Sequence, residues 1–248
     1  MLNKTVFERY SVSAQIHEND LSVMYSGKDD QTNQTIKVTV IKDKIIPAKD
    51  FLARFDPLVK NIIQVNSSQI IMAQRFGEVD GQAVIVWAGV EGKSLADRLA
   101  DGIGLPLDLS LDLAMQLGTY LDAIHNQKIM QGVFLPEDVF LSDDNAVQVL
   151  NLGVWSGVNL GEAISSGKAK PTPYLAPELT RGERESIRAD FYSLGALLYK
   201  VLTGREPDAD PFPSRLRTDI SSDWDELISR CLNPDPARRV QSAAEFIG

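Results

Sequence analysis

Asp138 and Asn151 are the side chains of this sequence with the clearest chemistry to offer. They flank two short apolar runs, Val139-Phe140-Leu141 and Val147-Gln148-Val149-Leu150, joined by Asp143-Asp144-Asn145. Asp and Asn tolerate the backbone angles of a turn. The second run alternates enough for a half-buried hairpin arm. A carboxylate and an amide, with nearby waters, are hard oxygen ligands of the kind Mg²⁺ takes. The plainer reading has Asp138 bonding locally and Asn151 as a neutral neighbour. Lys37 is a second candidate, in the β-branched run Ile36 to Ile41 that reads as a strand. Residues two apart on a strand share a face, so Lys37 and Thr39 point the same way. His17 and His125 are too few and too far apart in sequence to suggest a histidine metal site. Cys231, alone, excludes an internal disulfide and a cysteine-rich zinc site.

The elements that must position these residues are of two kinds. From Tyr10 to Trp87 the chain reads as strands and turns, with strands expected at Ser22–Tyr25, Ile36–Ile41, Gln69–Ala73 and Ala83–Trp87. A helix is expected over Asp50–Lys60, short or kinked because Pro57 lacks the N–H that a helix needs. Beyond residue 90 the pattern turns helical. Ser94 is a plausible N-cap for a short helix. Leu113, Leu117, Leu121 and Ile124 recur at helical spacing within Leu109 to Asn126. The chain has 248 residues, 44% hydrophobic and 24% charged, ordinary for a soluble globular protein with a sizeable core. The net charge of −9 argues against a nonspecific nucleic-acid binder. No long apolar run suggests a membrane span, and the first residues lack the apolar core of a signal peptide. The expected location is cytoplasmic, alone or as the cytosolic domain of a longer protein.

Three motifs stand in order downstream: Tyr174-Leu175-Ala176-Pro177-Glu178, then Arg188-Ala189-Asp190-Phe191-Tyr192-Ser193-Leu194-Gly195, then Asn233-Pro234-Asp235-Pro236-Ala237-Arg238-Arg239. Together they resemble the protein kinase family, and the bacterial serine/threonine type more than the larger eukaryotic ones. The resemblance implies an α+β, bilobal fold. Its small, mainly β N-lobe would be residues 1–90 and its larger, mainly helical C-lobe residues 91–248, together one domain. It also implies structural roles for Glu178, ion-paired with Arg239, and for Asp190, accepting backbone N–H groups of the loop around residue 131.

The same resemblance makes the chemical positions unusual. Val133 falls where the family has its catalytic Asp, Thr39 where it has the phosphate-pairing Lys, and Arg54 where it has the Glu that pairs with that Lys. Asn151 and Asp138 exchange the family's metal-binding Asp and Asn. His17 to Ser22 stand where the family has a glycine-rich loop, and their two carboxylates would repel phosphate. Trp87 at the gatekeeper place and Phe140 on the floor would shrink the cleft, leaving Lys37, Trp87, Asp138 and Phe140 as its vestige. A missing base alone forfeits about 10²–10⁴-fold in rate.

The expectation is therefore no enzyme but a pseudokinase. It would act as a signalling scaffold or regulatory protein-binding module, with no cofactor and little or no ATP binding. Its partner would be a protein, such as an active kinase or its substrate. Ser156, Ser165, Ser166 and Thr172, in a segment read as an exposed loop from Val154 to Pro173, are candidates for modification in trans. Two alternatives remain open. One is a nucleotide-binding switch without turnover, which the Asp138/Asn151 exchange favours, with Mg²⁺ held there. The other is an atypical phosphotransferase in which Lys37, Glu18, Asp20 and Asp138 converge.

Overall fold

The computed structural model describes every residue except Arg184 and Ala209, and describes Ala88 by its backbone alone. Six strands come first: β1 (Thr5–Val6), β2 (Tyr10–Glu18), β3 (Ser22–Asp29), β4 (Thr35–Ile41), β5 (Ala73–Val79) and β6 (Gln82–Ala88). They form one antiparallel sheet in the order β1-β2-β3-β4-β6-β5. The two-residue period divides β4 cleanly. Ile36, Val38 and Val40 pack with Val84, Val86, Tyr10 and Val12 on one face. Lys37, Thr39 and Ile41 take the other face, where Lys37 pairs with Trp87 and Thr39 with Ile85 across β6.

That second face is covered by α1 (Ala48–Ile62), which buries Phe51, Phe55, Val59 and Ile62. The helix runs through Pro57, against the expectation of a short or kinked segment. Pro57 and Ala53, whose carbonyl would have received the missing N–H, both lie on the exposed side. Water can therefore satisfy the freed oxygen while the apolar stripe holds the helix in place. The strand expected at Gln69–Ala73 is displaced as well. The ladder starts at Ala73, and Gln69 to Ile71 instead bond the backbone of Val149.

The second half is helical around a small sheet of β7 (Lys93–Ser94), β8 (Val139–Leu141) and β9 (Val147–Val149). Its helices are α2 (Leu95–Arg98), α3 (Leu107–His125), α4 (Val154–Val158), α5 (Leu160–Ser165), α6 (Pro177–Thr180), α7 (Ile187–Thr203), α8 (Ser222–Cys231) and α9 (Ala243–Ile247). Ser94 caps α2 by accepting from the Asp97 N–H. α7 is buried on almost every side, so the other helices are built around it. A Cβ added at Gly195 would lie 2.4 Å from Cys231 Cβ, so that glycine sets the approach of α8. The stretch after Val154 is not the exposed loop expected. It forms α4 and α5, because Trp155, Val158 and Leu160 are buried.

Candidate functional site

The deepest polar feature lies between the sheet and the helical half. Trp87 Nε1 donates to Thr39 Oγ1 at 3.0 Å, and Thr39 Oγ1 donates to Asn151 Oδ1 at 3.2 Å. Asn151 Nδ2 donates to Asp138 Oδ1 at 2.6 Å, and Trp155 Nε1 donates to Asp138 Oδ2 at 3.1 Å. One chain of hydrogen bonds thus links β4, β6, the segment before β8, the segment after β9, and α4. Asn151 can close it because it sits at φ 60°, in the left-handed region that Asn tolerates better than most residues. Thr39, Asp138 and Asn151 are each no more than 1% exposed.

Among the described residues no cation lies on either oxygen of Asp138. Burial pushes its carboxyl well above the usual carboxylate range, and the nearby Glu137 charge adds to this. The amide of Asn151 and the indole of Trp155 oppose the shift without cancelling it. Each oxygen already accepts one internal donor, which leaves the carboxyl about half of its acceptor capacity. Among the described residues no three His, Cys, Asp or Glu side chains group as a metal site.

Nearer solvent, Lys37, Phe140, His17, Asp97 and Glu137 line a cavity of about 190 Å³. Lys37 Nζ lies 5.6 Å from the centre of the Phe140 ring, and burial lowers its pKa. Trp87 and Asp138 belong to the network behind this cavity. Arg54 is elsewhere. Its guanidinium is exposed and approaches Glu162 on α5 at 4.0 Å. The placement of Arg54 opposite Thr39 is therefore corrected: the inward phase of α1 belongs to Phe51 and Phe55, whose burial outweighs any gain from turning a cation inward.

The tip of the β2–β3 hairpin corrects a second expectation. Its carboxylates do not confront the cleft: Glu18 pairs with Lys42 at 2.6 Å, and Asp20 Oδ2 accepts from the Lys170 N–H at 3.1 Å. Asn19 Nδ2 donates to Glu137 Oε1 at 3.1 Å, and His17 Nε2 lies 2.7 Å from the same oxygen. The histidine contact is an ion pair by distance rather than an aligned hydrogen bond. Glu137 raises the pKa of His17, against the opposing effect of burial. Burial pushes Glu137 up, but His17 and Asn19 together hold it below its ordinary value. The tip is therefore latched to Glu137, which lines the cavity together with His17.

The loop below is held from α7. Asp190 accepts from the Gln131 and Gly132 N–H groups at 3.0 and 2.7 Å and from His125 Nε2 at 2.7 Å. Ser193 Oγ accepts from the Phe134 N–H. Val133 is buried within this loop and presents no titratable group. Farther off, Arg239 donates to both oxygens of Glu178 at 2.6 and 2.7 Å, and both residues are buried. Sequence reasoning missed Trp155, Glu137, Asn19 and His125. The available signal was weak: Glu137 adjoins Asp138, and Trp155 lies one turn past Asn151.

A family model described as the protein kinase domain matches residues 10–247. A probable serine/threonine-protein kinase of Clostridium perfringens is 23% identical over 100% of this chain and 38% of its own length. The serine/threonine-protein kinase PknB of Mycobacterium leprae is 26% identical, over 96% of this chain and 42% of its own. The chain thus spans about two-fifths of the length of these relatives. The crystal structure of the Mycobacterium tuberculosis PknI kinase domain superposes with a TM-score of 0.77 at 23% identity, covering 100% of this chain and 97% of that one. The names of these relatives overturn the expectation that the chain is no enzyme, since serine/threonine-protein kinases are enzymes. The inference from Val133, Thr39 and Asn151 weighed single positions against one route of catalysis, whereas the likeness extends over the whole chain.

Proposed function

The chain belongs to the protein kinase domain family, and we propose that it serves signalling through protein recognition, as a regulatory module whose cleft holds ATP weakly. Its two lobes, residues 1–90 and 91–248, would act together as one surface toward a protein partner, such as an active kinase or its substrate. The observation that carries this reading is the closed network Trp87–Thr39–Asn151–Asp138–Trp155. Phosphoryl transfer in this family relies on cations and a metal at the phosphates. The described donors to Asp138 are uncharged, an amide and an indole, which favours recognition over tight nucleotide binding.

A second reading, phosphoryl transfer from a rearranged site, draws on the relatives' names and on Lys37. This half-buried ammonium lines the cavity of about 190 Å³ that it shares with His17, Asp97, Glu137 and Phe140. ATP and Mg²⁺ would then be its cofactors. Calorimetric titration of ATP into the protein, with and without Mg²⁺, separates the two, followed by a phosphate-transfer assay on a general basic substrate. The recognition reading expects no saturable heat at millimolar nucleotide. Metal-dependent binding that Lys37→Ala abolishes, with transfer of phosphate, would establish the second reading, with partner recognition then serving the transfer.

A further inference from the structure

Far from the cleft, the helical half carries an apolar surface that none of the described residues covers. α3 turns Leu111 and Met115, one helical turn apart, toward solvent, at 53% and 40% exposure. Scattered apolar residues on a surface need no explanation, but these two are not scattered. With Trp224 and Leu227 of α8 and Phe246 and Ile247 of α9 they line a groove of about 410 Å³. The groove is fixed in place. α9 lies close on α3 at Gly118, where a Cβ would come within 2.9 Å of both Phe246 and Ile247. Its lining is mainly aromatic and aliphatic, with one flexible methionine and with Ser221, Asp223 and Gly248 beside them, a composition suited to anchoring a partner's side chains.

Among the described residues the charge beside the groove is predominantly acidic. α3 contains Asp108, Asp112 and Asp122 and no Lys or Arg. Asp223 lines the groove directly, and Glu226 is exposed beside it on α8. The cation of α8, Arg230, is paired with Glu245 of α9. An approaching segment therefore meets an apolar floor inside an acidic rim.

We propose that this groove docks an amphipathic helix of a protein partner, with apolar residues facing Leu111 and Trp224 and Lys or Arg residues flanking them. The complementary charge supplies encounter rate and selectivity, and the apolar floor supplies affinity. This deepens the recognition reading by naming a surface and the chemistry of its partner.

The test uses a synthetic helical peptide with Leu at i, i+3, i+4 and i+7 and Lys on its flanks, beside a copy carrying Glu for Lys. Binding is followed by fluorescence polarisation. The Lys peptide should bind the protein in a salt-sensitive manner, and the Glu peptide should bind at least about tenfold more weakly, the change expected for reversing charges at an interface rim. Leu111→Glu and Met115→Glu should each weaken the Lys peptide by about tenfold or more, as for loss of an anchoring contact. Both positions are exposed, and an unchanged thermal midpoint will show that the variants fold. Asp223→Lys should narrow the difference between the two peptides. Equal binding of the two peptides, or binding indifferent to all three variants, overturns the proposal. So does concentration-dependent dimerisation in sedimentation that Leu111→Glu abolishes, since the occupant is then a second copy. Displacement of the peptide by a fluorescent fatty acid would overturn it in favour of a lipid. The nucleotide titration reads the cleft alone, so either result can fail while the other stands.

Discussion

Two of this protein's buried polar clusters are built on opposite principles. Around Glu178 and Arg239 a full positive charge meets a full negative charge through two short hydrogen bonds. Around Asp138 a carboxyl is buried as deeply, yet meets only an amide and an indole. The first cluster compensates its desolvation with charge. The second offsets it only in part, and its carboxyl is driven toward the neutral form. Scaffold and cleft thus differ in what their polar groups can still do. The scaffold pair is complete, whereas the cleft group stores an electrostatic cost that a cation or a proton would relieve.

The sharpest way to break this contrast is Glu178→Ala. It strands the buried guanidinium of Arg239, so urea unfolding should show a loss of about 3–5 kcal/mol. A loss below about 1 kcal/mol, the scale of a surface ion pair, would place the pair among those. Asp190→Asn should follow, with a loss of about 2 kcal/mol, since it replaces a charged acceptor of two loop N–H groups. Faster hydrogen exchange at Gln131 and Gly132 would tie that loss to the loop.

Asp138→Asn sharpens the contrast from the other side. The folded chain raises this pKa above its unfolded value of about 3.9. Between the two values the native state holds the extra proton, so stability falls as pH rises through that window. The variant should flatten the fall in unfolding free energy measured against pH, and an unaltered slope would show Asp138 to be ionised throughout. The smallest effect belongs to the latch. His17 has a raised folded pKa, so its stabilising contribution is present below about 6.5 and is lost as pH rises through the folded value. Glu137→Gln should return the His17 titration, followed by NMR, toward about 6.5; no movement would mean that the ion pair does not form in solution.

Much of the fold was legible from local pattern. The alternation in Ile36 to Ile41 assigned Lys37 and Thr39 to a shared face, and the face they share is the one turned to the cleft. The helix ending near Asn126 and the buried helix after Arg188 followed from spacing and motif. What misled was phase and reach. Arg54 was given an inward position by counting along an uncertain helix, although Phe51, Phe55, Val59 and Ile62 already marked the buried stripe of α1. The carboxylates of the acidic hairpin tip are expected to face phosphate because most of their neighbours in the fold are distant in sequence. Glu18 pairs with Lys42 at β4's end of the sheet, and the other partners, Glu137 and the Lys170 N–H, lie more than a hundred residues away along the chain.

The sequence by itself determined which residues are polar, which runs alternate, and which family the chain resembles, because periodicity and motif order are local properties of the string. Only the tertiary structure decided that Thr39 bonds Asn151, that two indoles complete the chain to Asp138, and that Asp138 is buried without a counter-charge. Those outcomes depend on the register of β4 against β6 and on the packing of α4 beneath the sheet. A side chain's ionisation follows from the neighbours that packing supplies, and packing is set by the whole core at once.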